Sequence, residues 1–215
     1  MANSFYLDAS ALAKRYIPEN GSLHVHALLD RVPGNRLYLL NVGVGEVASV
    51  FIRTRNAGII SAACFAQALT EFKREIIHAA DVTKQSVTNR LAFSSLALLE
   101  AHAISSTDAL LLKSALTVAR KLRLGGNDLV LVASDQRLLR AAQAEGLSTF
   151  NPESQDHGPG RLSEPLNRPR LASSFHLSPG RSPSAAAYQA YTSPGAPAGQ
   201  HRLTSSLPSA DRATC

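Results

Sequence analysis

Residues 128–138 read DLVLVASDQRL, and this stretch decides the fold. Leu129 to Val132 are apolar without a break, as a parallel strand covered on both faces requires; a strand with one wet face would alternate. The run ends on small residues and Asp135. Behind it, QRLLRAAQAE has a helical period that Gly146 closes, and LSTF (147–150) reads as a final short strand.

The same plan occurs at the other end of the chain. SFYLDAS (4–10) is an apolar run, then Asp8, then a helical stretch, ASALAKRYI, that Pro18 limits. GSLHVHALLD predicts a second short helix with Ser22 as its cap, and RLYLL the next strand. From Val42 to Arg55 the stripe Val44, Val47, Val50, Phe51 predicts a helix. Another runs from Ser61 to about His78 on Phe65, Leu69, Phe72 and Ile76, with Cys64 expected as a small core residue. HAADV suggests a short strand ending near Val82, after which Thr83 is expected to cap a helix through Leu91, Leu98 and Leu99 to about His102. Thr107 to Leu122 is strongly helical, and Gly125 with Gly126 stops it.

Strands alternating with helices predict a three-layer α/β/α sandwich around a mainly parallel sheet. Composition divides the 215 residues: nine of eleven prolines fall from Pro152 onward, so 1–153 reads as one domain and 154–215 as a disordered Pro/Ser/Ala/Arg-rich tail. Charge follows the same division without changing sign. Residues 1–150 carry 16 Lys plus Arg against 12 acids, a balance of +4, and the remainder 6 against 4, a balance of +2. Such a mild excess is compatible with a polyanionic partner without pointing to one. Cys64 and Cys215 give neither a disulfide framework nor zinc spacing, and no stretch reaches membrane-spanning length. The N-terminus lacks the basic and apolar regions of a signal peptide, so a cytoplasmic protein is expected.

In a parallel sheet the functional crevice lies outside the carboxyl ends of the strands. Asp8 and Asp135 stand at two such ends. Glu46, in the first turns of the helix after the second strand, and Asp108, in the first turn of its own helix, can reach the same edge. Each has an ordinary alternative, since an Asp in a first turn often only caps it and a Glu on a helix is usually solvated. Four acids in one cleft repel unless a cation neutralises them, and oxygen-only ligands select Mg²⁺ or Mn²⁺ over zinc. That layout suits phosphoryl chemistry without a covalent nucleophile. Ser10 and Ser134 could orient a carboxylate or a coordinated water, or simply cap helices. Lys14, Arg15, Arg53 and Arg55 lie near Asp8 and Glu46 in the chain and could face a substrate, although a solvated helix face is the plainer reading for any one of them. His24, His26, His78 and His102 show no ligand spacing that works with the acids. Gly43 and Gly45 are read as a flexible turn before Glu46.

FYLDASALAKRYIPENGS, VGEVASVFIR, STDALLLKSAL and VLVASDQRLLRAAQAEGLSTFNPE, in this order and spacing, resemble the PIN-domain ribonucleases, most of all the VapC-type toxins of bacterial toxin and antitoxin pairs. The resemblance implies an endoribonuclease dependent on Mg²⁺ or Mn²⁺, with Asp8, Glu46, Asp108 and Asp135 as the acidic, metal-holding site. It also implies an RNA substrate, a cognate antitoxin and a homodimer. A haloacid-dehalogenase-type phosphatase would need a second Asp where Ser10 stands, and a receiver domain a late Lys where Ser134 and Asp135 stand. The remaining alternative is a PIN-like RNA-binding or partner-binding module without catalysis.

Overall fold

The computed structural model describes residues 3–154. The disorder expected from residue 154 onward falls, Ser154 apart, outside the described residues. Five parallel strands form one sheet: β1 (Asn3–Leu7), β2 (Leu37–Leu40), β3 (Thr83–Gln85), β4 (Asp128–Val132) and β5 (Ser148–Phe150), in the order β3-β2-β1-β4-β5. Leu7 is in register with Leu39 on one side and Val132 on the other.

Alternate residues of the three inner strands feed two cores. Phe5, Leu7, Leu37, Leu39, Val130 and Val132 face α1 (Ala9–Leu12), α2 (Ser22–Arg31), α3 (Asn41–Asn56) and α4 (Ala62–Phe72). Tyr6, Leu40, Leu129 and Leu131 face α5 (Asn89–His102), α6 (Ser106–Leu124) and α7 (Gln136–Ala144). The unbroken apolar run of β4 is thus explained, because each face has its own helices. The first core is bound by Tyr16, Phe51 and Phe72, whose rings meet edge to face at 5.4–5.8 Å, worth about 0.5–1.5 kcal/mol a pair beyond the area buried. In the second, the Tyr6 hydroxyl donates to Ser114 Oγ (2.7 Å), which satisfies the one polar end among the fully buried large side chains.

Several local expectations are corrected. Ser22 does not cap α2: Gly21 does, at φ +87°, while the Ser22 hydroxyl is buried, accepting from Glu19 N and donating to Ile17 O. The third strand is Thr83–Gln85 rather than a segment ending at Val82, so Thr83 caps nothing and Thr88 caps α5. Gly43 and Gly45 form no turn, since both lie inside α3. Cys64 is only half-buried. α4 runs on through a π-helical turn, Lys73–Ile77, that carries Glu75 toward Arg15.

Candidate active site

Each carboxylate is placed by an element that starts at the carboxyl edge. β1 ends at Leu7, and the Asp8 amide still donates to Val132 O (2.9 Å), so Asp8 leaves the sheet in register with β4. Its backbone is extended, and its side chain caps α1 by accepting from the Ser10 amide (3.0 Å). Ser10 Oγ donates to the same Oδ2. Asp8 is 8% exposed. Burial pushes its carboxyl above the ordinary range; the Ser10 bonds oppose this, and the charge of Asp108 adds to it.

Glu46 projects from the second turn of α3 and is half-buried. Its carboxyl is also raised, first by burial, then by the charges of Asp8 and Asp108. Asp108 sits in the first turn of α6, where Ser105 caps the helix by accepting from the Asp108 amide (3.1 Å) and donates to Asp108 Oδ2 (2.7 Å). Ser105 escaped the sequence reading, although its place three residues before Asp108 is the spacing of a reciprocal cap. The charge of Asp108 thus acts on both Asp8 and Glu46, that of Asp8 acts on Glu46, and no basic group is among the causes acting on either.

Asp135 stands on the same edge but is turned to another task. It caps α7, accepting from the amides of Arg137 (2.7 Å) and Leu138 (3.2 Å), both on Oδ1. Its charge is not among those that shift Asp8 or Glu46. The two strand ends are tied by the serines: the Ser134 amide donates to Ser10 Oγ (3.1 Å), which in turn donates to Asp8. Neither serine caps a helix, because the neighbouring aspartates do.

The basic residues divide. Lys14 is 3% exposed and ion-paired with Glu153 (2.7 Å) and Glu19 (3.3 Å), and Arg15 is paired with Asp30 (2.7 Å) and Glu75 (3.2 Å). Neither presents a free charge, which corrects both readings offered for them: they are neither solvated nor available to a substrate. Arg53 and Arg55 are exposed on α3, the helix of Glu46, and the Arg55 guanidinium lies 4.5 Å over the Phe65 ring.

A cavity of about 250 Å³ lined by residues that include Arg15, Leu29, Glu75, Ile76 and Asp81 contains none of the four acids. Among the described residues no three His, Cys, Asp or Glu side chains form a group that could hold a metal ion as they stand. The convergence is one of electric field and donor chemistry rather than a closed cage. An open set suits a magnesium-like ion, which binds through one or two carboxylates and keeps much of its water.

No protein-family model matches the sequence, and no curated protein does. Among solved structures the chain is similar to PAE2754 from Pyrobaculum aerophilum, with 19% identity, 71% of this chain and 93% of that chain covered, and a TM-score of 0.47. It is also similar to FitAcB from Neisseria gonorrhoeae, with 18% identity, 69% and 97% covered, and a TM-score of 0.45. The structure of FitAB bound to an IR36 DNA fragment gives 15% identity, 71% and 98% covered, and a TM-score of 0.47. Likeness at this level assigns neither family nor activity.

Proposed function

We propose that the chain is a PIN-type endoribonuclease that hydrolyses RNA phosphodiester bonds with Mg²⁺ or Mn²⁺, and that it is the toxin of a toxin and antitoxin pair. One observation supports the nuclease reading: at the carboxyl edge of a parallel sheet the carboxyls of Asp8 and Glu46 are raised by burial, with the charge of Asp108 acting on both and that of Asp8 acting on Glu46. A site built that way gains most from a hard cation.

Asp8, Glu46 and Asp108 would hold the ion, and Asp135 could join through Oδ2, which takes no bond from its helix. Bound there, a divalent ion supplies charge neutralisation at the phosphate and activation of water. The chain's own residues do the rest. Ser10 fixes the orientation of the Asp8 carboxylate through two bonds to Oδ2, and Ser105 fixes that of Asp108. Arg53 and Arg55 offer the RNA backbone positive charge on the helix that carries Glu46. The antitoxin and the homodimer follow from the sequence resemblance alone.

The non-catalytic module draws on a different observation, the lack of a closed metal-holding group among the described residues. Incubation of the protein with structured and single-stranded RNA separates the two. Cleavage in Mn²⁺ that stops with EDTA and falls by at least about 100-fold in Asp8→Ala, more than is typical for loss of a group outside the ligand set, supports the nuclease. Cleavage that survives both treatments excludes the metal site, and binding without cleavage under any condition favours the module.

A further inference from the structure

The cavity of about 250 Å³ lies away from the acidic edge. Leu37 opens β2 and Val82 precedes β3, so the space sits by the amino ends of those strands, whereas Asp8 and Asp135 follow the carboxyl ends of β1 and β4. Its floor is apolar: Leu37, Ile76 and Val82 are between 2% and 5% exposed. Leu29 and Val32, half-buried at the end of α2, add an aliphatic wall.

Two features mark the space as built. Gly34, which lines it, is not among the glycines of positive φ, so freedom of the backbone does not explain the residue. Room does, because a Cβ at Gly34 would run into the Asp81 carboxylate. The second feature is the π-helical turn Lys73–Ile77, which carries both Glu75 and Ile76 into the lining. Such turns are rare and recur at functional sites.

Of the three charged side chains on the lining, two are already matched. Arg15 is held by Glu75 (3.2 Å) and by Asp30 (2.7 Å), and Arg74 adds a second contact to Glu75 (3.1 Å). An anion therefore finds no cation to meet. Asp81 has no hydrogen-bond or ion-pair partner among the described residues, and Lys84, three positions on, gives its ammonium to Ala79 O. Because Asp81 is exposed, its carboxylate stands at the rim, above the apolar floor.

The ligand that completes this arrangement has a short aliphatic body and one positive end. The volume is below the range of about 300–1,000 Å³ that drug-sized ligands occupy, so the body is small. No aromatic ring lines the cavity, which leaves out the cage that quaternary ammonium groups favour. A primary ammonium has three donors, enough for the carboxylate and for water at the open side.

We propose that this cavity is a binding site for a small primary aliphatic amine, whose hydrocarbon part covers Leu37, Ile76 and Val82 and whose ammonium pairs with Asp81. The site is separate from the acidic edge and stands whether or not the chain cleaves RNA.

The test titrates the full chain with isoamylamine, isoamyl alcohol and isovalerate, following backbone amides by NMR. Isoamylamine should bind saturably, with a Kd on the order of 1 mM for so small a ligand, and shift amides in residues 32–37 and 75–83. Isoamyl alcohol, which keeps the body and loses the charge, should bind at least about tenfold more weakly, and isovalerate should not bind. Asp81→Asn removes the charge at an exposed position and should weaken the amine by at least about tenfold, the loss of one charge-assisted hydrogen bond.

Equal binding of amine and alcohol, or undiminished binding to a folded Asp81→Asn, would remove the role of the carboxylate and overturn the proposal. So would shifts confined to the surroundings of Asp8, Glu46 and Asp108, which would show the amine acting as a counter-ion at the acidic edge. Absence of saturable binding well above the expected Kd would leave the cavity to water and end the proposal as well.

Discussion

Asp8 and Arg15 are seven positions apart, and the two ends of that short stretch treat charge in opposite ways. At its start a carboxylate is buried with a serine for company and the field of another acid. At its end Lys14 and Arg15 are each gripped by two carboxylates from elsewhere in the chain. Compensated charge is architecture: it fixes how segments meet and leaves nothing over for a ligand. Uncompensated like charge is held in place only because the surrounding fold dictates it, and such groups gather where chemistry is done. The lesson is that burial of charge says little until the sign of the neighbours is known.

Three measurements bear on that contrast. The largest effect is expected from adding a divalent cation. A divalent ion that binds only the folded chain adds about 2.7 kcal/mol at a hundred times its Kd, so Mn²⁺ should raise the melting temperature of the wild type and leave Asp8→Ala nearly unmoved. Equal stabilisation of both proteins would place the ion elsewhere.

Next comes breaking the compensated end. Arg15→Ala removes one of the two arginines paired with Glu75, 27% exposed, and should cost on the order of 1 kcal/mol in urea unfolding. Metal-induced stabilisation should persist, because Arg15 has no part in the acidic edge. Loss of the metal response in a folded Arg15→Ala would erase the distinction between the two ends.

The smallest effect is in the pH dependence. Since the folded chain holds the Asp8 and Glu46 carboxyls above their ordinary values, it keeps protons that the unfolded chain has already lost. In EDTA, stability should therefore fall as pH rises from the usual carboxylate range through these raised values. Asp8→Asn should flatten that slope and be more stable than wild type at neutral pH, by on the order of 1 kcal/mol. A wild-type curve that climbs over that window would contradict the assigned direction.

Where the sequence speaks through local physics it is legible. β1 and β4 are apolar on both faces because both faces are covered, and α6 carries its own cap and stop. β3 is the counterexample. Thr83, Lys84 and Gln85 have no apolar pattern and become a strand only by pairing with Tyr38 to Leu40. At the acidic edge, position alone suggested Asp8, Glu46 and Asp108, but their mutual field depends on the packing of α3 and α6 against opposite faces of the sheet. Asp135 has the same local signature as Asp8 and caps its helix likewise, yet its charge is not among those that act on Asp8 or Glu46, a difference that no sequence pattern records. Lys14 shows the limit most plainly. It reads as a surface residue of an amphipathic helix until Glu153, which follows it by 139 positions, arrives to neutralise it.

Because β1 lies in the middle of the sheet, one of its flanks is closed by a strand made early and the other by a strand made late. During translation Asp8, Glu46 and Asp108 all emerge before residues 128–132, so a nascent chain holds three of the four acids without the β4 strand that fixes the edge. A chain that stops before that point lacks the strand against which Asp8 leaves the sheet, so the acidic edge is complete only after the domain has been synthesised nearly to its end.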